Sequence, residues 1–223
     1  MTKTLVITGA SSGIGAATAK AAAEAGWNVT LLARSGDKLE QLSGEIGNSA
    51  LAITCDVTKR DEIIVALEQA AAHFGGIDAL FANAGTGAEK AGVENGDPDE
   101  WHDMIHVNIL AVLYAAHAAI PHLKKTKGQF VVTGSKAGRD TFKGSVYSAT
   151  KHFVHGFAEN LAEEMREWGG RATVIAPGMV DTAFFDEPKP TKIQPKDVAN
   201  SVMFALNQPE TAAVREIYLM PND

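Results

Sequence analysis

The stretch Thr4-Leu5-Val6-Ile7-Thr8-Gly9-Ala10-Ser11-Ser12-Gly13-Ile14-Gly15 decides the fold of this chain. A short apolar and β-branched run enters a turn with glycines at 9, 13 and 15, and an Ala-rich helical segment follows to residue 25. Glycine lets the backbone turn tightly and come close to a phosphate, and the N-terminus of the following helix attracts the anion. A glycine-rich turn carries little weight by itself. This one stands between a first strand and a first helix, where a pyrophosphate is bound in α/β domains.

Outward from that turn, short β-branched runs alternate with longer helical segments. Strands are expected at Thr4–Thr8, Asn28–Ala33, Ala50–Cys55, Ala79–Ala82, Gln129–Thr133, Ala172–Ala176 and Val214–Leu219. Helices are expected at 13–25, 37–46, 59–73, 98–124, 145–168 and 196–207. Such alternation implies βαβ units and a parallel sheet covered on both faces. Leu5-Val6-Ile7 and Phe130-Val131-Val132 are apolar without interruption, as doubly buried strands are. Gly26 and Gly169-Gly170 suit helix C-termini, and Pro98 and Pro195 suit first turns. The expectation is one α/β domain over residues 1–223: a doubly wound, Rossmann-type seven-stranded sheet that binds its ligand at the strands' carboxyl ends.

The composition fits an ordinary globular chain: 223 residues, 45% hydrophobic and 21% charged. A net charge of −7 provides no basic footprint for nucleic acid. The longest nearly apolar run, Ile109 to Ile120, is short for a bilayer and contains His117, so no membrane partner is expected. Strand-like sequence starts directly after Met1-Thr2-Lys3, leaving no room for a signal peptide. Cys55 is the single cysteine, which precludes an intrachain disulfide and reads as a small buried side chain. A cytoplasmic protein is the natural expectation.

Thr8-Gly-x-x-x-Gly-x-Gly15 resembles the cofactor motif of the short-chain dehydrogenase/reductase family, in its compact single-domain branch. Further stations match in order: Asp56-Val57 after the third strand, Asn83-Ala84-Gly85 after the fourth, and Asn108 in the fourth helix. Ser135, Tyr147-x-x-x-Lys151, and Pro177-Gly178 with Thr182 complete the set. The Ser135–Tyr147 interval is about one residue shorter than is usual in the family. The resemblance implies a nicotinamide cofactor bound by Gly9, Ser11, Ser12, Gly13, Ile14 and Gly15. It implies that Asp56 and Val57 hold the adenine, Asn83 braces the turn, and Thr182 meets the carboxamide. Most members are homodimers or homotetramers. The tail Val214-Arg-Glu-Ile-Tyr-Leu-Met-Pro221 is similar to members that oxidise serine-like 3-hydroxy acids with NADP.

The second strand ends in Ala33-Arg34, where an NAD-preferring site usually carries an acidic side chain for the ribose 2′-OH. A guanidinium there can hold a 2′-phosphate instead, so the expected cofactor is NADP(H), with Ser11 and Ser12 adding hydroxyl contacts. Tyr147 and Lys151 stand four apart and share one helix face. Reduction of a carbonyl, or oxidation of an alcohol, needs a group that gives or takes a proton as hydride moves. A phenol titrates near pH ~10, and a nearby ammonium and an oxidised nicotinamide lower that value. By resemblance, Lys151 also holds the nicotinamide ribose, and Asn108 orients a water that links Lys151 to solvent. Ser135 would hydrogen-bond the substrate oxygen. A non-catalytic NADP(H)-binding regulator of the same fold is the competing reading, although such proteins typically lose the Tyr or Lys.

Other signals carry less. His102 and His106 are spaced like a zinc pair, but Asp103 stands in the place of the general-base Glu and no third ligand is evident, so no metal is expected. His152 and His155 read as packing or interface residues. Lys136, Arg139 and Lys143 read as a solvated loop, with an acidic substrate as the sharper alternative. The segment 179–194, with Phe184, Phe185, Pro188 and Pro190, and the loop 86–97 should cover a small-molecule substrate. Leu110, Leu113, Tyr114, Phe153 and Phe157 fit either a subunit face or a core.

Overall fold

Successive residues of each central strand point to opposite faces, and both faces are apolar in this chain. Val6, Leu32, Leu80, Phe130 and Val174 enter one core, while Leu5, Ile7, Leu31, Phe81, Val131 and Ile175 enter the other. Each fully buried Leu, Ile, Val or Phe contributes roughly 1.5–3 kcal/mol, so the doubly covered parallel sheet is the arrangement that this composition favours. A computed structural model describes residues 2–90, 92–185 and 187–222, so Ala91 and Asp186 of the two expected covering segments lie outside the described residues.

The sheet consists of β1 (Thr4–Thr8), β2 (Asn28–Ala33), β3 (Ala50–Thr54), β4 (Ala79–Ala82), β5 (Gln129–Thr133), β6 (Arg171–Pro177) and β7 (Glu216–Leu219). Its order is β3-β2-β1-β4-β5-β6-β7 with every neighbouring pair parallel. The helices α1 (Gly13–Glu24), α2 (Gly36–Ile46) and α7 (Pro195–Leu206) pack on one face. The other face holds α3 (Arg60–Phe74), α5 (Ala111–Thr126) and α6 (Val146–Arg166), with the short α4 (Pro98–Ile105) leading into α5. The strand order reverses between β1 and β4, so a crevice opens where β1 and β4 end.

The expected elements form with shifts of one or two residues at their ends, except at two places. Residues 98–124 do not make one uninterrupted α-helix: His106–Leu110 form a π-helical segment between α4 and α5. That wider turn contains the buried Asn108, whose side chain bonds outside the helix. Pro98–Thr126 is also long and apolar enough by composition to cross a membrane. Here Ala111, Val112, Ala115, Ala119 and Leu123 are buried in the core. The second difference is a 3₁₀ turn at Lys136–Gly138, directly after Ser135.

Candidate active site

The three turn glycines are required for different reasons. Gly9 has φ +65°, and a Cβ there would lie 2.9 Å from the Cα of Ala84. Gly13 has φ +54° and faces Thr182, whose methyl would sit 3.2 Å from an added Cβ. A Cβ on Gly15 would overlap the Gly9 carbonyl oxygen and lie 2.9 Å from Asn83 Nδ2. The turn is therefore packed from behind by the end of β4 and met from the front by the segment after β6. Asn83 is its brace: Nδ2 donates to the carbonyls of Thr8 and Gly9 at 3.2 and 3.3 Å, and Oδ1 accepts from Thr133 Oγ1 at 3.1 Å. Ser12 occupies the N-cap of α1 without a capping bond from its hydroxyl, which leaves that hydroxyl and the first-turn N–H groups for an external acceptor.

Arg34 is exposed just beyond β2, and among the described residues its side chain forms no hydrogen bond or ion pair. Asp56 follows β3 nearby. Burial opposes its charge, but hydrogen bonds from Thr58 N and Oγ1 at 3.0 and 2.8 Å, with the fields of Arg34 and Lys59, hold the carboxyl below its usual range. Val57 is buried beside it. Pro177, Gly178 and Thr182 come from the end of β6, on the far side of the crevice.

Tyr147, Lys151 and Ser135 come together. Tyr147 and Ser135 line the same cavity, and Ser135 acts on the phenol as a polar neighbour, so the short interval between them does not separate them. The loop is braced by Ser148, whose hydroxyl bonds the carbonyls of Ala137 and Asp140, while Ser145 caps α6 through Ser148 N. Ser135 Oγ accepts from Ala137 N at 3.0 Å, which leaves its hydroxyl hydrogen to point elsewhere. Lys151 is buried, with Nζ donating to the Thr133 carbonyl at 2.8 Å and lying 5.8 Å from the Tyr147 ring centroid.

Burial pushes the Tyr147 phenol above its usual value, and only the Ser135 hydrogen bond pulls it back. Lys151 Nζ is bonded to the Thr133 carbonyl, and burial lowers its own pKa to about 8. Asn108 is committed on three sides: Nδ2 donates to Thr86 O at 2.9 Å and Thr150 Oγ1 at 3.1 Å, and Oδ1 accepts from Thr86 N at 2.9 Å. Both amide hydrogens are spent tying the loop after β4 to α6, so the side chain is a clamp.

Ile14, Asn83, Ser135, Tyr147, Lys151 and Thr182 border a cavity of about 380 Å³, which Gly85, Pro177 and Gly178 also line. Its other side is apolar: Phe142, Met179, Val180, Phe184 and Phe185. Phe184 lies 5.7 Å from the Tyr147 ring between centroids and presses on Gly87, where an added Cβ would be 2.7 Å from its ring. The two expected covering segments therefore meet above the tyrosine. Lys136 lines the cavity and is ion-paired with Asp140, and the exposed Arg139 binds Glu216 on β7, so these loop charges are solvated but partnered. His102 and His106 lie against each other, with ring centroids 4.2 Å apart. Phe153 and Phe157 stack at 5.9 Å and pack partly buried against the core.

Sequence reasoning missed Thr133, whose hydroxyl serves Asn83 and whose carbonyl serves Lys151, and His155, which accepts the Ser135 N–H at Nε2. A backbone carbonyl leaves no mark in a sequence. His155 did leave one, since 147, 151 and 155 share one helix face.

Residues 3–192 match a family model described as short chain dehydrogenase. The chain is 38% identical to an uncharacterized oxidoreductase of Staphylococcus aureus (strain MRSA252), covering 98% of this chain and 97% of that protein. Among solved structures, an alcohol dehydrogenase of Thermococcus sibiricus complexed with 5-hydroxy-NADP superposes with a TM-score of 0.92 at 31% identity, covering 100% and 97% of the two chains. A 3-ketoacyl-(acyl-carrier-protein) reductase of Brucella melitensis complexed with NADH gives 0.92 at 27%, with coverage of 99% and 97%. The serine dehydrogenase of Escherichia coli gives 0.90 at 27%, with coverage of 98% and 97%.

Proposed function

The chain belongs to the short-chain dehydrogenase family, and we propose that it is an NADP(H)-dependent oxidoreductase that interconverts a carbonyl and an alcohol, with Tyr147 as acid/base. The observation that carries the reading is the meeting of Tyr147, Ser135 and Lys151 at one cavity beside the glycine turn. A dinucleotide fits the residues present. Gly9 and Gly15 let the turn close tightly on Ala84 and Asn83, Ser12 and the N-terminus of α1 have donors to spare, and the Arg34 side chain stands uncommitted at the end of β2. Gly13, Ile14, Asp56, Val57, Ala84, Gly85, Pro177, Gly178 and Thr182 would complete the binding surface, and Lys151 would reach the ribose. Both NADP-type and NADH ligands occur among the similar structures; Arg34, with no carboxylate at Ala33, is the reason to prefer NADP(H).

When bound, the nicotinamide supplies or accepts the hydride, and in its oxidised form adds the positive charge that favours a phenolate. The protein does the rest. In reduction, Tyr147 gives its proton to the substrate oxygen, and the Ser135 hydroxyl donates to the same atom as negative charge develops there. Asn108 holds Thr86 and Thr150 so that α6 keeps its place. The Phe142, Phe184 and Phe185 side suits an apolar substituent and keeps water out. The reading carries with it a cytoplasmic, water-soluble homodimer or homotetramer without a nucleic-acid partner, for which light scattering gives the assembly.

The test is NADPH oxidation over aldehydes, ketones, quinones and 3-oxo acids, with alcohols and serine-like hydroxy acids tried in reverse. Tyr147→Phe should bind NADPH normally and lose ~10²–10⁴-fold in turnover. Turnover within about threefold of wild type would remove Tyr147 from its role. Tight NADPH binding with no turnover on any class would favour the regulator.

A further inference from the structure

His155 sits one helical turn beyond Lys151 and two beyond Tyr147 on α6. Its imidazole fills the space beneath the turn that carries Ser135. A Cβ added to Gly134 would lie 2.5 Å from its Nε2, and one added to Gly138 would lie 2.6 Å from its Cδ2. Both glycines flanking the serine turn therefore leave room for this ring. The Ser135 main-chain N–H donates to Nε2 at 3.3 Å. On the opposite edge, Nδ1 faces Glu216 Oε1 at 3.6 Å, and the Glu216 carboxylate is gripped by Arg139, whose Nε donates to Oε1 at 2.7 Å. An imidazole that accepts at Nε2 carries its hydrogen on Nδ1 when neutral, here the edge turned to the carboxylate.

We propose that His155 is a positioning residue for the reaction: as the neutral Nδ1–H tautomer, set by Glu216, it accepts the Ser135 N–H and so fixes the backbone from which the Ser135 hydroxyl reaches Tyr147 and the substrate oxygen. The inference rests on the dehydrogenase reading given above. The Ser135 oxygen has little freedom of its own, since Oγ already accepts from Ala137 N, so where it sits follows from where its backbone is held. A second proton on His155 would set two N–H donors against each other and release that hold. Burial acts first against this proton. Glu216 on β7 favours it, Arg139 beside the 3₁₀ turn and Lys151 on α6 oppose it, and the balance keeps His155 below its usual value. Near neutral pH the imidazole is the acceptor the geometry needs.

The experiment is the pH profile of kcat from about pH 5 to 8, with NADPH dissociation constants measured beside it. Wild type should lose kcat at the acid end. His155→Gln, whose side-chain carbonyl can accept the Ser135 N–H but does not titrate, should keep kcat and lack that acid limb. His155→Leu offers no acceptor and should lose roughly ten- to a hundredfold in kcat, as a small misplacement of a reacting group does, with NADPH affinity unchanged. Glu216→Gln and Arg139→Gln leave the imidazole in place and should move the limb in opposite directions, to lower and higher pH. An acid limb that persists in His155→Gln, wild-type kcat in His155→Leu, or a limb indifferent to both charge variants would overturn the proposal. These last two variants decide it even if His155→Leu fails to fold. Long-range ¹H–¹⁵N spectra read the tautomer without turnover. A hydrogen found on Nε2 would overturn the proposal in an active enzyme, whereas the Nδ1–H form in a protein that reduces no carbonyl would count against the dehydrogenase reading instead.

Discussion

Lys151→Met should abolish a pH dependence of stability that the wild-type site imposes on itself. The lysine is buried, and burial lowers its ammonium from 10.5 to about 8. At ~1.4 kcal/mol per tenfold change in proton affinity, a protonated Lys151 destabilises the fold by roughly 3 kcal/mol below pH 8. The folded value lies below the unfolded one, so the unfolded chain binds the extra proton between the two, and stability rises with pH across that window. From pH 7 to pH 9.5 the recovery is about 2 kcal/mol, or ~4–8 °C in Tm for a chain of this size. Methionine is similar in volume and has nothing to titrate, so the variant lacks this rise and keeps every other one. The absolute offset between the proteins is not the readout, because the Thr133 carbonyl loses its Nζ donor, at ~1–3 kcal/mol. Urea unfolding of both proteins without cofactor, across that pH range, gives the difference curve. A difference constant to within about 0.5 kcal/mol would refute the reasoning, since the ammonium would then be reaching water.

Gly9→Ala should destabilise by about 2–5 kcal/mol, combining left-handed strain with overpacking against Ala84. Gly26→Ala, at φ +81° with nothing within 4 Å, should lose only the strain, ~1–2 kcal/mol; equal Tm losses would show that the turn yields. Arg34→Ala should weaken NADPH about ten- to a hundredfold and leave NADH nearly untouched, the size of a charge-assisted hydrogen bond; fluorescence titration of both cofactors checks it, and an unchanged NADPH constant would make Arg34 a surface charge. Cys55 is buried, and burial raises its thiol to about 11, so a chromogenic disulfide reagent at neutral pH should react at the rate of unfolding rather than that of an exposed thiol.

The strands were legible because each is an apolar run bounded by glycine or polar turns, and Pro98 and Pro195 do start their helices. The glycine turn was legible because the spacing 9, 13, 15 is a backbone requirement written in side chains. The π segment at His106–Leu110 was not. Nothing in its helical propensity breaks the pattern, and what it accompanies is Asn108 bonding Thr86 and Thr150, residues far away in sequence. The partner of Arg139 was hidden for a related reason: Glu216 meets it only when the 3₁₀ turn packs beside β7. The depth at which Tyr147 and Lys151 are buried was not legible either, since a sequence shows a neighbouring charge but not its burial.

The glycine turn and the group formed by Ser135, Tyr147 and Lys151 are mechanically one unit. Asn83 grips the carbonyls of Thr8 and Gly9 with its amide and takes the Thr133 hydroxyl on its oxygen. Thr133, at the end of the next strand, offers its carbonyl to Lys151, one turn from Tyr147. These contacts cross from β1 to β4 to β5 and up to α6 without passing through a flexible loop. That is why the carboxyl edge of the sheet, at the point where the strand order reverses, can hold a hydride donor and a proton donor in fixed relation. Phe142 and Phe184, on the loops beyond it, line the apolar side of the cavity. On the proposed reading, substrate choice rests with the segment 179–194 and the loop 86–97, outside that frame.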